Sequence, residues 1–189
     1  MAQVFQEIDT PLRTFIEAQR MFFVATAPES EGHINLSPKG LDSLRILGPT
    51  TVAYLDYTGS GVETIAHLRR NGRIVLMLCA FDGPCRIVRL HGRGRAVETQ
   101  DDGFAALLEH FHPSPGVRSI IQVELERISD SCGYGVPIYR YEAQRPTLPA
   151  WAERKGETGV ADYQRENNAA SIDGLPGLRW AGEAAKQEK

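Results

Sequence analysis

The stretch "YLDYTGSGVETIAHLRRNG" (residues 54–72) begins like the end of a strand, passes through a glycine-rich turn and closes like a helix. In that arrangement Thr58 and Gly59 offer backbone N–H groups and a hydroxyl at the positive end of the helix dipole, a setting that favours a phosphate group. The stretch also fits a purely structural turn, because Ser60 and Glu63 have the spacing of a capping box that would start the helix one residue later. The turn alone therefore does not decide between a phosphate site and a structural cap.

A lysine is the second candidate for phosphate chemistry. Lys39 stands near the end of "NLSPKG", where a predicted strand finishes. A lysine ammonium binds phosphate as a point charge when a neighbouring turn brings the phosphate within reach. Because a lone lysine is usually a solvated surface residue, it is the pairing of Lys39 with the glycine-rich turn that indicates a ligand site.

Other residues with reactive side chains are weaker candidates. His110 and His112 in "EHFHP" would share a metal ion only in an extended segment, and no third ligand stands beside them, so no metal site is predicted. Cys132 precedes the stiff turn "GYGVP", which would place its thiol beside a cleft. The sequence shows no Ser-His-Asp order and no paired carboxylates. Catalytic residues therefore stay unassigned, and any redox chemistry would come from a bound cofactor.

Length and composition narrow the classes of protein. The 189 residues are 42% hydrophobic and 24% charged, enough for one substantial core and too few for two ordinary domains. A net charge of -3 argues against nucleic acid as the main partner. Since the sequence has no basic leader and no run of about 18 apolar residues, we expect a cytoplasmic protein that does not bind membranes. The three cysteines form no CxxC pair, which favours reduced thiols.

Strand patterns dominate the chain up to about Tyr141. Helices are predicted for "TPLRTFIEA", with Thr10 as its N-cap, and for "DDGFAALLEHFH". A third helix should follow the glycine-rich turn and stop at the "NG" of residues 71–72. Mostly consecutive strands joined by hairpins indicate a mainly β protein, an antiparallel barrel with peripheral helices. The six predicted strands cover "MFFVATA", "GHINLSP", "TTVAYLDY", "RIVLMLCAF", "CRIVRLHGRGRAVE" with a bend at Gly92 or Gly94, and "SIIQVELERIS".

The composition becomes polar beyond the last of these strands. We expect residues 1–145 to form the barrel domain with its N-terminal helix. Residues 146–189 should form a polar, partly helical extension, packed on the barrel or on a partner subunit, whose last residues fray. The apolar anchors of this extension would be Trp151, Leu175, Leu178 and Trp180.

The runs "FFVATA", "NLSPKG", "VAYLDYTGSGVETIAHLRRNGRIVLML", "IVRLHGRGRAVE" and "DSCGYGVPIY" together resemble the pyridoxamine 5'-phosphate oxidase-like family of FMN-binding split barrels. Within it, the sequence is most similar to the branch of oxidase-related flavin-binding proteins. The resemblance implies a six-stranded antiparallel split barrel, a homodimer with FMN in clefts between the subunits, and an oxidoreductase acting on a small molecule. It also implies that Lys39 and the glycine-rich turn hold the flavin phosphate. The candidate FMN contacts are Ser37, Lys39, Asp56, Tyr57, Thr58, Gly59, Ser60, Gly61, Thr64 and Arg86.

Three departures from the family pattern lie in the expected cofactor site. The Arg-Lys pair that follows the turn in true oxidases is replaced by "ET" at residues 63–64, which removes part of the positive charge around the phosphate. An arginine and a glutamine of the family pattern are replaced by Ile34 and Ile87, and Arg86 or Arg89 is a candidate to compensate.

The choice of reaction stays open at this point. The chain lacks the C-terminal tryptophan and Arg-x-His-type cluster with which true oxidases bind the pyridine substrate, which argues against vitamin B6 oxidation. An FMN-dependent oxidoreductase is the leading hypothesis. The alternatives are a non-catalytic flavin or haem carrier, and a deazaflavin-dependent reductase on the same barrel, which the missing Arg-Lys charge would permit. Asp56 would either bond a ribityl hydroxyl of the flavin or stabilise the turn.

Overall fold

A single antiparallel sheet organises residues 3–182, the part of the chain that the computed structural model describes. The strands are β1 (Val4–Phe5), β2 (Phe22–Thr26), β3 (Asn35–Lys39), β4 (Leu44–Gly48), β5 (Thr51–Tyr57), β6 (Arg73–Cys79), β7 (Ile87–Glu98) and β8 (Val117–Ser131). The helices are α1 (Thr10–Ala18), α2 (Glu63–Asn71), α3 (Phe104–Leu108) and α4 (Thr147–Asn168).

The strands follow the order β3-β2-β6-β7-β8-β5-β4, and β1 pairs with β8. Every strand pair within the described residues is antiparallel, so the predicted mainly β, open barrel-like fold with peripheral helices is confirmed. The predicted count of six strands is wrong, because β1 and β4 bring the sheet to eight. β1 has two residues, and β4 is half-buried along its whole length without an alternating pattern, so neither gives a strand signal.

The main core lies between the sheet and the first two helices. Leu12 of α1, Ile65 of α2 and Leu76 of β6 are fully buried in it. β5 is covered on both faces, because Tyr54 belongs to this core and Leu55 belongs to a smaller cluster with Phe111. Burial on both faces explains the nearly continuous apolar run of β5 and fixes the position of the turn that follows it.

Two predicted helix starts are wrong, and one predicted stop is confirmed. The N-cap of α1 is Asp9, whose Oδ1 accepts a hydrogen bond from the Leu12 N–H at 2.8 Å, so Thr10 is the first helical residue. The capping box does not form, because α2 begins at Glu63 with no side-chain cap. Gly72 ends α2 in the left-handed conformation, with φ 67°, and its N–H donates to the Leu68 carbonyl.

The C-terminal segment packs against the turn after β5 and against the main core. α4 contains the predicted helical stretch, and Gly156, with φ 67° and ψ 171°, interrupts it. Leu178 is buried in the main core, and Trp151 packs edge-on against Tyr163. The division of the chain at residue 145 stays a prediction, and the predicted fraying concerns residues 183–189, which lie outside the described part.

No helix within residues 3–182 is long and apolar enough to span a bilayer.

Gly92 sits at a bulge that bends β7. The register against β8 shifts between His91 and Gly92, and a Cβ at Gly92 would lie 2.1 Å from the Glu124 carbonyl oxygen. We expect Gly92→Ala to lower the free energy of unfolding by about 2 to 3 kcal/mol, because the backbone of β8 must move. Gly135→Ala is the control, since a Cβ there meets nothing within 4 Å. Equal denaturation midpoints for the two variants would contradict this account.

Candidate functional site

An open groove of about 530 Å³ lies between β3 and the loop that joins β5 to α2, and we call it the turn groove. The structure brings seven of the predicted cofactor contacts together there. These are Ser37, Lys39, Tyr57, Gly59, Ser60, Gly61 and Thr64. Residues far apart in sequence therefore meet where the sequence analysis expected a phosphate.

The other three predicted contacts do not line the turn groove. Thr58 is buried, and its hydroxyl accepts a hydrogen bond from Gln164 Nε2 at 2.6 Å. Arg86 forms an ion pair with Asp130, with 2.8 Å between Nη2 and Oδ2, and its side chain does not line the turn groove. Asp56 is fully buried behind Lys39.

Asp56 is the centre of a buried ionic cluster. Its Oδ1 accepts a hydrogen bond from Lys39 Nζ at 3.1 Å, and its Oδ2 accepts from Arg118 Nε at 2.8 Å and from Ser119 Oγ at 3.3 Å. Burial alone would raise the pKa of this carboxyl, but the charges of Arg118 and Lys39 outweigh burial and lower it to about 2. Asp56 is therefore ionised at neutral pH and holds the Lys39 ammonium at the groove.

Arg118 is the residue that the sequence analysis missed. Its Nη1 donates to the Gly61 carbonyl at 2.7 Å and to Asn168 Oδ1 at 2.9 Å, and Asn168 Nδ2 donates to the Gly59 carbonyl at 2.9 Å. The glycine-rich turn is thus fixed from behind by β8 and α4. An arginine in a strand is ordinarily expected at the surface, and only the nearby apolar residues Val117, Ile120 and Ile121 hinted otherwise.

The turn is open to a ligand at one end and closed at the other. A Cβ at Gly59 would meet nothing within 4 Å, and Ser60 is exposed. At Gly61, a Cβ would lie 2.2 Å from Glu63 Oε2, because the Glu63 carboxylate folds back over the turn. Its Oε1 also accepts a hydrogen bond from the Ile172 N–H at 3.3 Å. Glu63 thus places its own negative charge at the N-terminus of α2, where an anion is favoured.

The charges around the turn groove balance. Lys39 and Arg118 are opposed by Asp56 and Glu63. The open space at the turn lies at Gly59 and Ser60 beside Lys39, because the Glu63 carboxylate occupies the space at Gly61. The positive charge removed by the sequence "ET" is partly restored by Arg118.

A chain of hydrogen bonds joins the polar side chains of β3 to α2. Asn35 Nδ2 donates to Thr64 Oγ1 at 3.0 Å, and Ser37 Oγ donates to Asn35 Oδ1 at 2.8 Å. The chain continues through Thr26 to His67 Nδ1. Burial lowers the pKa of His67, which favours the neutral imidazole at neutral pH. Ser37 and Thr64 are thereby held in place along one wall of the turn groove.

The chain is similar to a protein family, to one curated protein and to two solved structures. The family model "Pyridoxamine 5'-phosphate oxidase" matches residues 8–132. The pyridoxamine 5'-phosphate oxidase family protein ustO of Aspergillus flavus is 38% identical over 196 residues, which cover 94% of this chain and 78% of that protein.

Among solved structures, HupZ of Group A Streptococcus has a TM-score of 0.51 at 22% identity, covering 64% of this chain and 91% of that chain. The FAD binding protein from Mycobacterium smegmatis has a TM-score of 0.50 at 14% identity, covering 68% of this chain and 97% of that chain. At these identities the two structures support the fold alone.

Replacing Asp56 tests the buried cluster. Because the pKa of Asp56 lies below that of an unfolded aspartate, its ionised form adds about 2 kcal/mol of stability above about pH 4 that is lost as the pH falls towards 2. Asp56→Asn should remove this pH dependence and cost about 3 to 5 kcal/mol at pH 7, since it leaves two cations without their partner.

Glu126→Gln is the matched control, because Glu126 pairs with Arg93 and both side chains are more than half exposed. It should cost less than about 1 kcal/mol. Urea denaturation of both variants from pH 2 to 7 measures the difference, and an Asp56→Asn variant as stable as Glu126→Gln would refute the role of the cluster.

Proposed function

The chain belongs to the pyridoxamine 5'-phosphate oxidase family, and from this premise we propose that it is an FMN-dependent oxidoreductase acting on a small molecule. When bound, the flavin would supply the redox chemistry by taking up or giving two electrons as a hydride. The protein's part is to hold the phosphate, to orient the ring and to exclude water.

The observation that carries the proposal is the convergence of Lys39 with the open end of the turn. The Lys39 side chain is 19% exposed, so its ammonium is both anchored by Asp56 and accessible from the turn groove. Ser60 adds a hydroxyl, and the bare backbone at Gly59 permits close approach. We assign the phosphate to this corner, with Ser37, Tyr57 and Thr64 along the wall that faces the rest of the cofactor.

Asp56 and Arg118 act through other groups in this proposal. Asp56 orients Lys39, and Arg118 fixes the glycine-rich turn while adding positive charge from below. Arg86 is the predicted contact that this assignment leaves out, because its guanidinium is paired with Asp130 and stacks over Phe15 at 5.2 Å.

A second subunit is also part of the proposal. The aliphatic residues Ile34, Leu36 and Ile172 rim the turn groove with 76%, 65% and 68% of their surface exposed. β3 is in addition an edge strand of the sheet. Exposed branched side chains on an unprotected edge favour association, and a partner seated here would close the turn groove.

We therefore expect a homodimer at micromolar concentration by sedimentation velocity. Leu36→Glu should shift the protein towards monomer, because it places a charge in the apolar rim. Val4→Glu is the control, since Val4 is 48% exposed and lies on β1, away from the groove. A monomeric wild type, or equal dissociation of both variants, would exclude this interface.

Gly59→Val tests the assignment of the phosphate. The unliganded fold has room for the side chain, so the thermal midpoint without flavin should stay close to that of the wild type. The valine would block the approach of the phosphate, and we expect FMN affinity to fall by about tenfold or more, measured by quenching of flavin fluorescence.

Gly135→Val is the control, because it adds the same side chain in open space outside the turn groove. The proposal fails if Gly59→Val binds FMN as tightly as Gly135→Val does, or if the wild type binds no FMN.

A further inference from the structure

A second groove adjoins the turn groove and shares Lys39 and Gly59 with it. It has a volume of about 710 Å³ and runs between the two residues before β2, the loop after β3 and α4. We call it the C-terminal groove, because residues 141–163 form one of its walls. Nothing in the assignment of the phosphate uses this space.

The charged side chains that line the C-terminal groove are all positive. Within the described residues, its lining contains Arg20, Lys39 and Arg145 and no aspartate or glutamate. Lys39 is matched by Asp56, and Arg20 lies over the Tyr141 ring at 5.3 Å. Arg145 forms no ion pair with any residue in the range 3–182, which leaves its charge available to a ligand.

The first turn of α4 adds to the same corner. Its N-cap is Pro146, which has no side-chain hydrogen bond to the helix, and Thr147 and Leu148 line the groove directly after Arg145. The positive end of a helix without a capping side chain favours an anion. Arg145 and this helix end therefore act on the same ligand group.

The remaining walls are apolar and held in place. Trp151 packs edge-on against Tyr163, with ring centroids 5.0 Å apart, and both line the groove. Leu41 faces them from a strained backbone with φ 60°. Gln144 stabilises this backbone conformation with two hydrogen bonds. Its Oε1 accepts from the Leu41 N–H at 3.1 Å, and its Nε2 donates to the Arg20 carbonyl at 2.8 Å.

We propose that the C-terminal groove binds a second ligand beside the proposed phosphate corner, an organic anion with a flat apolar body. Its charged group lies against Arg145 and the start of α4, and its apolar body packs between Trp151 and Leu41. Its far end reaches the junction at Lys39 and Gly59. Its position beside the FMN phosphate rests on the proposed function, whereas the binding chemistry depends only on the residues of this groove.

The test compares a charged probe with its neutral analogue on the full chain saturated with FMN. Isothermal titration calorimetry with 3-phenylpropionate and 3-phenylpropanamide should show the acid binding about tenfold more tightly, because only the acid offers a charged acceptor to Arg145. Arg145→Gln should remove this difference and leave amide binding unchanged. Trp151→Leu should weaken the binding of both probes.

Arg154→Gln is the matched control, since Arg154 is an exposed arginine on α4 that does not line the groove. It should bind both probes as the wild type does. Equal binding of acid and amide, unchanged acid binding in Arg145→Gln, or no binding of the acid at millimolar concentration would overturn the proposal.

The flavin content of the same samples, read from their visible absorption, separates the two proposals. Flavin retained without selective binding of the acid contradicts the C-terminal groove and leaves the FMN site intact. Selective binding of the acid in protein that takes up no flavin contradicts the FMN proposal and upholds the anion site.

Discussion

Asp56 is fully buried, and a buried carboxylate is stable only with cationic or hydrogen-bonding partners. The arrangement of the whole site depends on the residues that supply these partners. Lys39 of β3 and Arg118 of β8 are these partners, and Asp56 itself is the penultimate residue of β5. β3 and β5 are not neighbours in the sheet, so the ion pair bridges two strands that share no backbone hydrogen bonds. The cluster therefore links β3 and β5 through side chains, where no backbone hydrogen bonds join these two strands.

The same cluster explains why a ligand site forms at this end. Arg118 and Asn168 bind the carbonyls of Gly61 and Gly59, so the turn keeps its shape without a capping serine. Lys39 is left at the point where the turn groove and the C-terminal groove meet. One anchored ammonium thus faces both the proposed cofactor and the proposed organic anion. Glu63 opposes it from the helix end and lowers the net positive charge of the turn groove.

The sequence predicted those features that local pattern controls. Apolar runs located six of the strands, "NG" located the end of α2, and the positions of Lys39 and the turn indicated a shared site. Predictions from local pattern were wrong where tertiary contacts determine the conformation. Ser60 and Glu63 have the spacing of a capping box, yet Glu63 turns towards the C-terminal segment at Ile172 instead.

The sequence also did not indicate that Asp56 and Arg118 are buried. Asp56 reads as a polar residue at a turn, and Arg118 reads as a surface residue of an alternating strand, until the register of β5 against β8 brings them together. β4 was missed because Arg45 interrupts its apolar run. The C-terminal groove could not be foreseen either, because its lining comes from α4, the residues before β2 and the loop after β3, which are distant in sequence.

The measurement that tests this account most directly is the affinity of the wild type for FMN compared with riboflavin, which lacks the phosphate. If the Lys39 corner holds the phosphate, FMN should bind about tenfold more tightly or better. The advantage should shrink as salt is raised, because the groove is open to solvent. Equal affinities for FMN and riboflavin at low salt would contradict a phosphate site at the turn.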